Sequence, residues 1–130
     1  MLVLVTGATG FLGRAVVQEL QNHHHRVRCL VHTPGSERLF PDRSVEVHYG
    51  RISDPAALTE AFYNVEVVIH LVGIIRKSRN LTYDLINRQG VANVAAAAKE
   101  VGVKHFIQVS AIGATNDVNY TYLYSKWRGE

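Results

Sequence analysis

Apolar and polar positions along the chain fall into short runs of two alternating kinds. Leu2-Val3-Leu4-Val5 is a continuous apolar run, the pattern of a strand buried on both faces. From Phe11 to Leu20 the apolar positions Leu12, Val16, Val17 and Leu20 are spaced as one stripe of a helix. Val27 to Val31 predicts a second strand, and Pro34-Gly35-Ser36 a break. Val45 to Tyr49 alternates as a half-buried third strand. Ser53-Asp54-Pro55 then opens a helix, with Asp54 as N-cap and Pro55 at the first helical position. Val65 to Val72 predicts a fourth, apolar strand. Tyr83 to Glu100 predicts a long Ala-rich helix closed by Gly102 as a left-handed cap. His105 to Val109 predicts the fifth strand, and Tyr120 to Glu130 the first turns of another helix.

Strands and helices that alternate in this way make an α/β fold, a doubly wound parallel sheet with helices on both faces and right-handed crossovers. The expected strand order is 3-2-1-4-5. There are no internal repeats, low-complexity tracts or linkers, so residues 1–130 read as one domain. A doubly wound fold usually continues past a fifth strand. The chain is therefore expected to be the N-terminal part of a longer domain, truncated at its C-terminus.

Composition narrows the function classes. Hydrophobic residues make up 47% and charged residues 19%, which excludes a disordered chain. No apolar run approaches the roughly 20 residues of a membrane helix. Met1 to Thr6 lacks a basic leader and a cleavage site, and reads as a strand rather than a signal peptide. The single cysteine, Cys29, excludes an internal disulfide and a Cys-based zinc site, and points to a reducing, cytoplasmic location. Net charge is +3, with the 14 basic residues scattered, so charge gives no indication of nucleic acid and suits a phosphorylated or nucleotide ligand as well. His23, His24 and His25 point in different directions at a helix end. They read as a solvated terminus, not a metal site.

The chemistry begins at Thr6-Gly7-Ala8-Thr9-Gly10-Phe11-Leu12-Gly13, directly after the first strand and opening the first helix. Its glycines fall at G-x-x-G-x-x-G, in the strand-turn-helix context of a dinucleotide loop. Gly7 permits the tight turn, and Gly10 leaves space for a pyrophosphate on the unpaired N–H groups of the helix. Gly13 is expected to let that helix pack on the sheet.

The same stretch resembles the signature of extended and atypical short-chain dehydrogenase/reductases, which share the Rossmann fold. Three further stretches match in order: Ile69-His70-Leu71-Val72-Gly73, Asn87 with Gly90, and Tyr122-Leu-Tyr-Ser-Lys126 with its Y-x-x-x-K spacing. Val72-Gly-Ile-Ile-Arg76 and Phe106 to Gly113 are similar to the branch holding epimerase/dehydratase-like proteins and the nucleotide-binding accessory subunit of respiratory complex I. The resemblance implies an NAD(P)-binding oxidoreductase or epimerase/dehydratase. An alternative is a non-catalytic, structural or redox-sensing nucleotide binder. It implies cofactor contacts from Gly7, Thr9, Gly10, Phe11, Leu12, Gly13, His32, Arg51, Ile52, Leu71, Val72, Gly73, Asn87, Val109, Tyr122 and Lys126, with no metal site.

An Asp or Glu at the end of the second strand would select NAD(H) and repel a 2′-phosphate. That strand ends Leu30-Val31-His32-Thr33, with no acid, so NADP(H) is expected over NAD(H). His32 and Arg14 are the nearer candidate partners for the phosphate, and Arg38 a more distant one. Relatives commonly place Gly-Asp after the third strand, where this chain has Gly50-Arg51-Ile52; Arg51 cannot accept the adenine amino bond. Tyr122 and Lys126 share one helical face, so the lysine can stabilise a phenolate beside a small-molecule substrate. The family's hydroxyl position falls on Ala111, leaving Ser110 one residue early as the third catalytic candidate. A homo-oligomer is left open, and the substrate is unidentified.

Overall fold

A computed structural model of the chain describes residues 1–40, 42 and 44–130. Its strands are Leu2–Thr6 (β1), Arg26–Val31 (β2), Glu46–Tyr49 (β3), Val67–His70 (β4) and His105–Gln108 (β5). They pair in parallel in the order β3-β2-β1-β4-β5, as expected. The helices are Phe11–Asn22 (α1), Pro55–Phe62 (α2), Val91–Val101 (α3) and Thr121–Gly129 (α4). A 3₁₀ turn covers Ser36–Leu39, and a π-helical segment, Asp84–Gly90, leads into α3. Among the described residues no helix is long and apolar enough to cross a membrane.

Alternation within β1 divides the core between two layers. Leu2 and Leu4 pack with Leu58, Ala61 and Phe62 of α2 and with Val94 and Ala98 of α3. Val3 and Val5 face the other way, onto Val17 of α1 with Val27 and Cys29 of β2. Burying each such side chain is worth roughly 1.5–3 kcal/mol, so the middle strand anchors both layers. Burial pushes the Cys29 thiol up to about 12, which leaves it an inert apolar filler.

Helix ends follow the local rules. Asp54 caps α2, its carboxylate accepting from the Ala56 and Ala57 amides at 3.0 and 3.4 Å. Gly102 closes α3 at φ +73°. The Arg28 guanidinium is held by Glu46 and donates to the Ala61 and Tyr63 carbonyls at 2.8 and 2.7 Å, satisfying the free end of α2.

Several boundaries differ from the sequence pattern. β4 is confined to residues 67–70: the Glu66 carboxylate turns aside to the Leu2 amide and Lys104, and Leu71 and Val72 already belong to the following loop. β3 starts one residue later, at Glu46, and β5 ends at Gln108. The long helix predicted over 83–100 begins instead as the wider π coil. Its side chains are held by tertiary partners, which helical periodicity does not encode.

Candidate functional site

All five strands end at one edge of the sheet, and the crossovers diverge between β1 and β4, the switch point where ligands of such sheets bind. Thr6 and His70 are register partners at that edge, with Thr6 Oγ1 and His70 Nδ1 2.6 Å apart. The glycine loop starts beside them. Gly7 has φ +74°, and a Cβ there would lie 3.0 Å from the Leu71 carbonyl carbon, so this loop rests on the backbone leaving β4.

Gly10 donates its N–H to the Gly7 carbonyl at 3.1 Å, and a Cβ at Gly10 would meet nothing closer than that carbonyl, at 3.3 Å. A Cβ at Gly13 would lie 2.2 Å from the Gly7 oxygen and 2.6 Å from Ala8 Cα. The close approach that Gly13 permits is therefore to the glycine loop itself, not to the sheet as expected. Unlike α2, α1 has no side-chain cap, so the N–H groups of its first turn are open to an anion. Phe11 is 92% exposed at this opening and Leu12 also faces solvent, while Thr9 is half-buried.

At the outer strands, His32 and Thr33 are exposed beyond β2. The Gly50 amide donates to the Val31 carbonyl at 2.8 Å, so the backbone leading to exposed Arg51 departs beside His32. Ile52 is different. Its side chain packs on the α2–α3 core and against Gly90, where an added Cβ would come within 2.4 Å of Ile52 Cδ1. Its carbonyl accepts from Asn93 Nδ2 at 3.0 Å. These contacts make Ile52 a support for this corner.

Toward the other end of the edge, four segments converge. Lys126 of α4 is buried and donates from Nζ to the Val109 carbonyl at 2.9 Å. A Cβ on Gly73 would lie 3.4 Å from Asn87 Oδ1 and 3.5 Å from Lys126 Nζ. Burial lowers the Lys126 pKa, with Glu130 opposing. Tyr122 is half-buried one turn earlier on α4, its ring edge-on to Tyr83 at 5.7 Å.

Asn87, expected among the cofactor contacts, is fully buried and spends its amide internally. Oδ1 accepts from the Ile74 amide at 3.0 Å, and Nδ2 donates to the Ile74 carbonyl and to Ser125 Oγ, both at 3.1 Å. It is a tie between the loop after β4 and α4. Ser125, which the spacing argument passed over, donates in turn to the Tyr122 carbonyl at 2.6 Å. Ser110 lies close by in sequence after β5, but its hydroxyl bonds the Glu130 carboxylate. His70 was legible only as part of a motif. Its ring is buried, stacked 6.4 Å from Phe106, and burial together with Lys126 lowers its pKa to about 4. Among the described residues, His70 Nε2 and Gln108 Nε2, on register-paired positions, are buried without partners.

Residues 7–128 match the family model described as NAD(P)H-binding. The chain is 36% identical over 129 residues to a ceramide reductase of Caulobacter vibrioides, covering 99% of this chain and 40% of that protein. It is 32% identical over 135 residues to the mitochondrial NADH dehydrogenase 1 alpha subcomplex subunit 9 of Rattus norvegicus, of which it covers 36%. A crystal structure of a short-chain dehydrogenase/reductase superfamily protein from Agrobacterium tumefaciens with bound NAD superposes with TM-score 0.78 at 26% identity. That alignment covers 99% of this chain and 43% of the other. The chain thus spans about two fifths of the length of these proteins.

Proposed function

The chain belongs to the NAD(P)H-binding family, and on that premise we propose that it binds NADP(H) in preference to NAD(H) and forms the cofactor half of a longer oxidoreductase domain. The carrying observation is the uncapped α1 start behind Gly7, Gly10 and Gly13, with His32-Thr33 and no acidic residue at the exit from β2. In this reading Gly7, Thr9, Gly10, Phe11, Leu12 and Gly13 cradle the pyrophosphate on the open N–H groups. His32, Arg51 and Arg14 face the adenosine end, where a carboxylate would accept ribose hydroxyl bonds and repel a 2′-phosphate. Leu71, Val72, Gly73 and Val109 border the nicotinamide end.

The cofactor supplies hydride chemistry, and this chain's own part is the proton. Tyr122 holds it at its phenolic oxygen. Lys126, fixed by the Val109 carbonyl, favours the phenolate by its charge and reaches the nicotinamide ribose. The Asn87–Ser125 tie sets the turn that presents both side chains. The whole protein's substrate is a small molecule held beside Tyr122, and the lone buried Cys29 suits a cytoplasmic setting.

One observation favours a second reading. The Ser110 hydroxyl bonds the Glu130 carboxylate, which supports a nucleotide binder without turnover. Calorimetric titration with NADPH and NADH tests the cofactor assignment. NADPH is expected to bind about tenfold tighter, near 1.4 kcal/mol, with His32→Asp reversing the order. Equal affinities in the unaltered chain would reject the preference.

A further inference from the structure

We propose that the loop Arg76-Lys77-Ser78-Arg79-Asn80 is an anion-binding subsite that holds a phosphoryl group of the substrate next to Tyr122. The proposal rests on reading Tyr122 as the proton carrier. The loop leaves β4 on the side of the switch point away from the adenosine end. Arg76, Lys77 and Arg79 are all exposed, and none makes an ion pair among the described residues. No acidic residue occurs between Gly73 and Thr82. Two other arginines differ: Arg88 and Arg128 both share the Asp84 carboxylate. Three uncompensated cations within four positions repel one another, and a bound anion removes that cost.

The loop has a defined shape. The Ser78 amide donates to the Leu81 carbonyl at 3.0 Å, and the Leu81 amide returns to Ser78 at 3.4 Å. Tyr83 donates its hydroxyl to the Ile75 carbonyl at 3.0 Å, pinning the base of the loop. Lys77 Nζ stands 5.1 Å from the Tyr83 ring centroid, and the Tyr83 ring meets Tyr122 edge-on. Cation, Tyr83 and Tyr122 form one contiguous path. A molecule with its reacting carbon at the Tyr122 hydroxyl can therefore extend across Tyr83 toward Lys77 with an anionic end.

The donor set selects phosphate over carboxylate. Two guanidinium forks, one ammonium and the Ser78 hydroxyl offer more N–H and O–H groups than two carboxylate oxygens use, and arginine forks match phosphate oxygens in pairs. The cofactor's own pyrophosphate has a separate cradle at the glycine loop.

The test uses the whole chain and a triple variant, Arg76→Gln, Lys77→Gln and Arg79→Gln, at positions exposed enough to leave folding intact. Inorganic phosphate is titrated at low salt into protein saturated with NADPH, and in parallel into Gly10→Val protein, so the glycine loop contributes nothing. Phosphate affinity is expected to fall at least tenfold in the triple variant, while NADPH affinity stays within twofold. Sedimentation with phosphatidylglycerol or phosphatidylcholine vesicles separates the two phosphate sources. Loop-dependent binding to phosphatidylglycerol alone assigns a lipid headgroup, and phosphate binding without vesicle binding assigns a soluble phosphorylated substrate. Unchanged phosphate affinity in the triple variant overturns the proposal, as does a matching loss of NADPH affinity, which would give the loop to the cofactor. If neither NADPH nor NADH binds the unaltered chain, the cofactor reading fails on its own, and the Gly10→Val titration still decides the loop.

Discussion

At one end of the strand edge, residues 6–13 form a loop from eight consecutive positions; at the other, Gly73, Asn87, Val109 and Lys126 arrive from four separate segments. The first depends on backbone conformation, with Gly7 at φ +74° and open N–H groups. The second depends on buried side-chain hydrogen bonds through Asn87 and Ser125. The local loop is shaped mainly by its own residues, whereas the convergent end relies on ties between segments far apart in the chain. The Thr6–His70 contact joins the two.

The largest expected effect isolates the convergent end. On the proposed reading, in a protein extended to the length of its relatives, Tyr122→Phe should lower turnover about 10²- to 10⁴-fold, the usual worth of general acid–base assistance, with cofactor affinity nearly unchanged. Steady-state kinetics beside calorimetry measure both, and full activity in this variant would remove Tyr122 from the chemistry.

At the local end, Gly10→Val should weaken dinucleotide binding about 100-fold, near 3 kcal/mol, because its side chain enters the space the pyrophosphate needs. Its melting temperature should stay close to that of the parent, since a Cβ there meets only the Gly7 carbonyl. Gly13→Val is the contrasting control: overlap with the loop backbone should lower stability itself. If both variants melt alike, the difference between the two glycines is wrong.

Cutting the tie comes next. Asn87→Ala leaves the Ile74 N–H and carbonyl and the Ser125 hydroxyl without the side-chain amide that bonded them, and should cost about 2 kcal/mol in urea unfolding. Cofactor affinity should fall with it, as α4, which carries Lys126, loses its tie to the loop after β4. A variant of unchanged stability would show that the amide does not hold the two segments together.

A pH-dependent effect bears on the contact that joins the ends. His70 is neutral in the fold, with its pKa lowered to about 4, whereas the unfolded chain takes up a proton near pH 6.5. Between those values the unfolded state binds more protons, so stability is full above about pH 6.5 and falls as pH drops toward 4. The loss should be on the order of 3 kcal/mol, and His70→Gln should flatten that ramp. Denaturant melts across this range check it, and an identical ramp in the variant would assign it to other groups.

Strand order, the Asp54 and Gly102 caps and the glycine loop were all legible in the chain, because each depends on neighbours within one or two turns or on the alternation of faces along a strand. The inward turn of Ile52 and the engagement of Ser110 by Glu130 were decided only when distant segments met. Asn87 is the sharpest case. Its position in a motif was visible in sequence, but whether its amide would face a ligand or the chain depended on a π-helical segment and on Ser125, 38 residues away. Periodicity reports which face of an element is apolar; it carries no information on which buried polar group will satisfy another, because that match is made across the packed interior, where an unpaired donor costs more than any local preference supplies.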